Sequence, residues 1–305
     1  MEQQQANDVA CLLFPKSGEL PSEELQASVR LALKQLVIGV EGGIRPPAHP
    51  TESASWDTLT KSGLLRDTAL IDFCIARVAE NRIRKTLQPC LADVRAQLPA
   101  RLLHDPNPVV SESARAVLIA DSLAQNFDPE ALMMQIPGEI LHPLAWRTVA
   151  VLSTLDDRGM AQPRDAYVKA CNRMLSARNE GRSLQASAAK LAYFLPEGMW
   201  DELSDPRTAG LPMFIAGLTK KCGLGADMLY RFIDSGNIAA FLTVLRACGY
   251  GADDAAELVR CLRGDQPASV EQAGLWEGYD AVTAEASLNQ CLAWSAQSAM
   301  TGGPI

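Results

Sequence analysis

Apolar residues recur along most of this chain at the spacing of a helix rather than that of a strand. The first long stretch begins at Ser22 and ends at Gly42 and Gly43, and glycine often marks a helix end. Its apolar members recur every three or four residues, which places them on one side of an α-helix. They are Leu25, Val29, Leu33, Leu36, Val37 and Val40. The pattern predicts one long amphipathic helix.

The same spacing predicts a series of further helices, and strict apolar/polar alternation is nowhere sustained. One helix is predicted over 67–87 from the spacing of Ile71, Cys74, Ile75 and Val78. Others are expected at about 109–125, 163–178, 183–195, 208–222 and 279–294. Pro129 and Pro143 stand where a helix is expected to start, since the first helical position needs no N–H donor.

A six-residue motif occurs twice near the C-terminus. Cys-Gly-Leu-Gly-Ala-Asp spans 222–227, and Cys-Gly-Tyr-Gly-Ala-Asp follows 26 residues later at 248–253. The first glycine of each copy is suited to the left-handed conformation that ends a helix, and Leu224 or Tyr250 then supplies the apolar contact of the cap. Similar apolar stripes precede both copies. The repeat predicts two αα-hairpins in tandem.

The segment from His104 to Leu118 resembles the start of a HEAT repeat. The matching positions are Asp105, Pro108, Val110, Ala114 and Leu118, whereas Ser111 stands where the repeat usually has a basic residue. More broadly, residues 55–265 resemble an uncharacterised bacterial family of helical-repeat proteins, known as a domain of unknown function. The segments that carry this resemblance are 62–67 (Ser-Gly-Leu-Leu-Arg-Asp), the HEAT-like turn and the tandem motif. The resemblance implies a helical fold and no particular activity.

We therefore expect an all-α protein, an irregular HEAT-like α-solenoid of short helices that ends in tandem αα-hairpins. The expected organisation is a mobile N-terminal segment at 1–20, a helical stack at 21–205, the hairpins at 206–264, and a C-terminal helix and tail at 265–305.

Composition restricts the environment and the partners. The 305 residues are 48% hydrophobic and carry a net charge of −8, which disfavours nucleic acid and anionic membranes as general partners. The N-terminus lacks the basic and apolar regions of a secretory signal, and no apolar run is long enough to span a bilayer. The eight cysteines form no Cys-x-x-Cys pair and are expected to be buried free thiols. We expect a cytoplasmic protein.

No catalytic, metal-binding or cofactor motif is specific enough to predict an enzyme. The three histidines lie far apart in sequence, and neither a phosphate-binding lysine loop nor a dinucleotide fingerprint occurs. Ser187 and Lys190 match Ser-x-x-Lys, a pattern common by chance, and are expected to be ordinary helix residues. A helix–turn–helix around Gly223 is disfavoured because its second helix is mainly apolar, with Arg231 its single basic residue.

One stretch of basic residues has functional potential. Residues 61–120 carry nine basic and six acidic side chains, against the acidic trend of the chain. The candidate partner-binding residues are Arg77, Arg82, Arg84, Lys85, Arg95 and Arg101. They form either a solvated helix face paired with nearby carboxylates, or a docking patch for an acidic protein, a phosphate-bearing ligand or the acidic C-terminal segment of the chain itself.

These observations favour a non-enzymatic scaffold or regulatory adaptor that binds another protein through a helical-repeat surface. The alternative is a HEAT-like module that binds nucleic acid or a phosphate ligand through the basic stretch 77–101. No cofactor, metal or membrane contact is expected, and the oligomeric state stays open.

Overall fold

The computed structural model describes residues 23–45, 52–91, 97–156, 164–235, 238–264, 276 and 278–301. Sixteen α-helices are bounded within these ranges, which contain no strand, so the predicted all-α class is confirmed. They are α1 (Glu23–Ile44), α2 (Trp56–Lys61), α3 (Thr68–Leu87), α4 (Leu98–Arg101), α5 (Pro108–Ala124), α6 (Pro129–Gln135), α7 (Gly138–Asp156), α8 (Arg164–Ser176), α9 (Leu184–Phe194), α10 (Trp200–Leu203), α11 (Pro206–Ala209), α12 (Leu211–Cys222), α13 (Ala226–Asp234), α14 (Ile238–Ala247), α15 (Ala252–Arg263) and α16 (Ala284–Thr301).

The chain divides into two compact units, and unit 1 comprises residues 1–78 and 123–183. Its centre is α1, which packs against α6, α7 and α8, while α2 packs against α1 and α7. The apolar face predicted for α1 lies in the core, with Leu33, Leu36 and Val40 at 0–1% exposure. Burial of these side chains is the main favourable contribution to the stability of the unit.

Unit 2 comprises residues 79–122 and 184–305. Within it α12 packs against α9, α13 and α14, and α14 also packs along α16. All three unit boundaries, at 78/79, 122/123 and 183/184, lie inside the range 21–205. The HEAT-like solenoid arrangement and the four predicted domains stay predictions.

Local sequence accounts for the start of α6, but it fails for a proline in α7 and for the helix expected at 208–222. Asp128 caps α6 by accepting a 2.9 Å hydrogen bond from the Ala131 N–H, with Pro129 at the first helical position as predicted. The expectation for Pro143 is wrong, because α7 begins at Gly138 and continues through Pro143. The single helix expected at 208–222 is divided into α11 and α12 at Gly210, whose φ is +82°.

The tandem motif forms the two predicted caps. Gly223 ends α12 with φ +74°, and Gly249 follows α14 with φ +90°. In the second copy the Gly249 N–H donates to the Arg246 carbonyl and the Tyr250 N–H to the Leu245 carbonyl, which is the Schellman pattern. The first copy has a single bond, from the Gly223 N–H to the Thr219 carbonyl at 2.9 Å. A left-handed glycine thus ends the first helix of both pairs, α12–α13 and α14–α15, although the hydrogen bonds of the two turns differ.

Replacing Gly223 with alanine is expected to lower the free energy of unfolding by about 1–2 kcal/mol, because a side chain disfavours the left-handed conformation. The matched control is Gly225→Ala in the same motif. Gly225 has φ −66°, and no atom lies within 4 Å of an added Cβ. Urea denaturation of the two variants distinguishes them, and equal stability would contradict the role assigned to Gly223.

Candidate functional site

The basic stretch begins in α3, where Arg84 is held by two carboxylates. Its Nη2 lies 2.8 Å from Glu80 Oε1 and its Nη1 lies 2.6 Å from Asp121 Oδ1, with only 15% of the side chain exposed. Burial opposes the charged form, but Glu80 and Asp121 outweigh it and raise the pKa of Arg84. The adjacent Lys85 is exposed. Arg84 is therefore part of a buried ion-pair network in unit 2.

Arg77 lies in the interior of unit 1. Only 2% of the residue is exposed, and Nη1 donates a 2.5 Å hydrogen bond to Gln135 Oε1 on α6. The guanidinium also lies 5.6 Å from the centre of the Phe73 ring, in the range of a cation–π contact. Its contacts hold α3 and α6 together within this unit.

The remaining predicted residues are more accessible. Arg82 pairs with Asp234 at 3.2 Å, and Arg101 pairs with Glu202. Arg95 lies outside the described residues. Intramolecular carboxylates thus hold Arg82, Arg84 and Arg101. The pairing of Arg84 with Glu80 matches the interpretation of a paired helix face, but Arg77 and Arg84 are not solvated as that interpretation expected. The role of the stretch in partner binding stays a prediction.

A different surface, at the C-terminal end of α9, exposes two adjacent aromatic side chains. Tyr193 is 76% exposed, more than any other large apolar residue in the described part of the chain, and Phe194 is 39% exposed. Their ring centres lie 5.4 Å apart in an edge-to-face arrangement. Because the two rings contact each other and face solvent, they form a preassembled apolar contact area.

Lysines flank this pair. Lys190 is exposed three residues before Tyr193, on the same face of α9. On α12, the exposed Lys220 donates a 3.1 Å hydrogen bond from Nζ to the Ala192 carbonyl, next to Tyr193 in sequence. We call Lys190, Tyr193, Phe194 and Lys220 the aromatic surface.

The sequence contains a signal of this surface, a Tyr-Phe pair just after a helical apolar stripe. Large aromatic residues at such positions are usually part of the core, so the pair did not predict an exposed surface.

The cysteines of the tandem motif meet in the interior of unit 2. Cys222 hydrogen-bonds with both Cys248 and Cys291, and all three are buried free thiols. Hydrogen bonding to Cys222 together with burial raises the pKa of Cys248 and Cys291. The same two hydrogen bonds lower the pKa of Cys222. Because all three thiols are buried from solvent, we interpret them as small groups that pack the core.

The other motifs from the sequence do not assemble a reactive site. Ser187 is buried in α9 whereas Lys190 is exposed, so Ser-x-x-Lys does not present both groups together. In α13 the side chains of Met228, Leu229 and Tyr230 are buried, so they are not available to read a DNA groove.

Two findings concern the described residues alone. They contain no group of three His, Cys, Asp or Glu side chains arranged to hold a metal ion. None of the helices found there combines the length and the apolar character needed to cross a bilayer.

No protein-family model, no curated protein and no solved structure matches this chain. The resemblance to a bacterial helical-repeat family therefore stays an expectation from sequence. Any functional proposal depends on the surfaces and cavities of the molecule itself.

Proposed function

We propose that this protein is a non-enzymatic adaptor of the bacterial cytoplasm that binds another protein, and that the aromatic surface makes the central contact. The single observation that carries the proposal is the exposed Tyr193–Phe194 pair. Tyrosine is enriched among the residues that dominate binding energy, and rigid aromatic rings lose little conformational entropy when they are buried by a partner.

The chemistry of the surface also restricts the partner. Lys190 and Lys220 place positive charge beside the two rings. A complementary surface has an apolar recess for the rings and acidic residues around it, because opposite charges steer association and exclude wrong partners. The expected partner is thus a protein with an acidic rim around an apolar centre.

The alternative function is binding of nucleic acid or a phosphate ligand through the basic stretch. It requires Arg82, Arg84 and Arg101 to exchange their carboxylate partners for phosphate. For Arg84 that exchange breaks a 2.8 Å ion pair with Glu80, whose side chain is 4% exposed, and breaking a buried ion pair is costly. We therefore rank this function second. Affinity for nucleic acid that falls steeply with salt and is lost in Lys85→Glu would support it.

Replacing Tyr193 and Phe194 together with serine is expected to weaken partner binding by about thirtyfold or more, the effect of losing a binding hot spot. The measurement is affinity capture of the tagged protein from its own cells, with quantitative mass spectrometry of what co-elutes. Circular dichroism and thermal unfolding establish that the variant remains folded.

The matched control replaces two other exposed apolar residues with serine, Leu31 at 51% and Ile119 at 58% exposure. A protein that is lost with the aromatic double variant and retained by the control supports the proposal. A protein retained equally by both, or the absence of any protein in near-stoichiometric amount, would overturn it.

A further inference from the structure

Unit 1 contains a cavity of about 530 Å³ between α1, α6, α7, α8 and the turn that follows α8. Ligand pockets in proteins have volumes of about 300–1,000 Å³, so this one has room for a small molecule. Apolar side chains form much of its wall, among them Met133, Met134, Met174 and Leu141. We call it the methionine cavity.

Two glycines of α1 allow the methionines to approach the helix closely. A Cβ added at Gly39 would lie 2.6 Å from Met133 Cγ, and one added at Gly43 would collide with Met174. Gly39 and Gly43 are one turn apart, so both face the same side of the helix. Methionine side chains are flexible and polarisable, and they adapt to apolar groups of varied shape. This part of the cavity suits a hydrocarbon chain.

An incompletely bonded arginine also lines the cavity. Only 13% of the Arg178 side chain is exposed, and Nε lies 3.7 Å from Glu180 Oε1, beyond hydrogen-bonding distance. Both Nε and Nη1 are buried, and no acceptor in the described part of the chain hydrogen-bonds to either. A buried donor without an acceptor costs roughly 1–3 kcal/mol, and more when the group is charged. An oxyanion would satisfy these donors.

The surrounding charges favour an anion. Arg173 and Arg182 are exposed and line the cavity together with Arg178, while Glu130 is the carboxylate among the lining residues and Glu180 forms a 3.7 Å ion pair with Arg178. Burial lowers the pKa of Arg178, while Glu180 and Glu139 partly oppose this shift. Planar guanidinium groups bind carboxylates and phosphates through paired hydrogen bonds. The cavity thus combines an apolar wall with a cluster of cationic donors.

We propose that the methionine cavity binds a single-chain anionic amphiphile, with its carboxylate or phosphate head on Arg178 and its alkyl tail against Met133, Met134 and Met174. The two head groups share the chemistry that a guanidinium recognises. This ligand site lies in unit 1, and its existence does not depend on the proposed protein contact of the aromatic surface in unit 2.

The first experiment uses the full chain labelled with ¹³C at the methionine methyl groups, with decanoate or decyl phosphate added below its aggregation concentration. We expect the signals of Met133, Met134 and Met174 to shift, while those of the buried Met213 and Met228 in unit 2 stay in place. Inorganic phosphate and decanol, tested separately, are expected to bind more weakly than decyl phosphate because each provides only part of the ligand. If the signals of the cavity methionines do not shift in the wild-type protein, the proposal is overturned.

The second experiment measures the affinity of the same probes by calorimetry. Arg178→Met is expected to weaken binding about ten- to a hundredfold, the effect of losing hydrogen bonds to a charged group. The matched control Arg164→Met removes an exposed cation from the start of α8, outside the cavity wall, and should leave the affinity unchanged. The preference between decanoate and decyl phosphate identifies the head group. Equal affinity of both variants, or binding to anionic phospholipid vesicles with no response to the soluble probes, would overturn the proposal.

Discussion

Replacing Arg84 with methionine is expected to lower the free energy of unfolding by about 3–5 kcal/mol, as for other buried ion pairs that lose one partner. The substitution keeps an unbranched apolar stem but removes the guanidinium that pairs with Glu80 and Asp121, whose side chains are 4% and 16% exposed. Two carboxylates then remain close together in a poorly solvated place. Urea denaturation at neutral pH measures the loss.

The neighbouring residue provides the control. Lys85→Met removes the same charge from an exposed position on α3 and is expected to change stability by at most about 0.5 kcal/mol. If the basic stretch were an exposed face throughout, the two variants would be equally stable. That result would contradict the buried network assigned to Arg84.

Replacing Glu41 with methionine is expected to lower the free energy of unfolding by about 2–4 kcal/mol, because several buried donors lose their acceptor at once. Glu41 is 2% exposed near the end of α1. Its carboxylate accepts hydrogen bonds from the Ser53 and Ser55 hydroxyls at 2.6 and 2.8 Å and from the Ala54 and Ser55 N–H groups at 3.2 Å. The residue thereby anchors the segment that leads into α2. Stability unchanged within about 0.5 kcal/mol would contradict this role.

The same carboxylate predicts a pH dependence. Burial raises the pKa of Glu41, but the hydrogen bonds from Ser53 and Ser55 outweigh burial and lower it below the usual 4.5. A lowered folded-state pKa stabilises the protein above the unfolded value and loses that contribution as the pH falls through the folded value. The wild type should therefore lose more stability below about pH 5 than Glu41→Gln. The exposed Glu52→Gln serves as control and should follow the wild type.

Helices and their ends were largely predictable because their determinants are local. The stripe containing Leu33, Leu36 and Val40 predicts both a helix and its buried face, and both are observed. The first glycine of each Cys-Gly-x-Gly-Ala-Asp motif predicts a left-handed cap, which Gly223 and Gly249 form. Pro143 shows the limit of local rules, since the packing of α7 along the core tolerates a proline in its second turn.

The environment of the basic residues was not predictable in the same way. Arg77 and Arg84 share one side of α3, as their spacing indicates, but Arg77 is buried and Arg84 is half-buried. The partners that make burial possible, Gln135 and Asp121, are distant in sequence. Helical periodicity identifies which residues share a face, whereas a neighbouring helix decides whether a charged face contacts solvent or a carboxylate.

The methionine cavity was missed for a related reason. Its wall combines residues of four helices, and none of them forms a recognisable motif on its own. Gly39 and Gly43, spaced one turn apart on the apolar side of α1, were the available signal of close packing at this place. Gly42 and Gly43 predict a helix end, but α1 continues to Ile44.

The most direct test of the adaptor proposal places a photo-crosslinking amino acid at position 193 and irradiates living cells that produce the protein. Position 31 in unit 1, where Leu31 is 51% exposed, is the control. We expect one dominant protein to be crosslinked from position 193 and not from position 31. Crosslinks to the same mixture from both positions, or none from position 193, would contradict it.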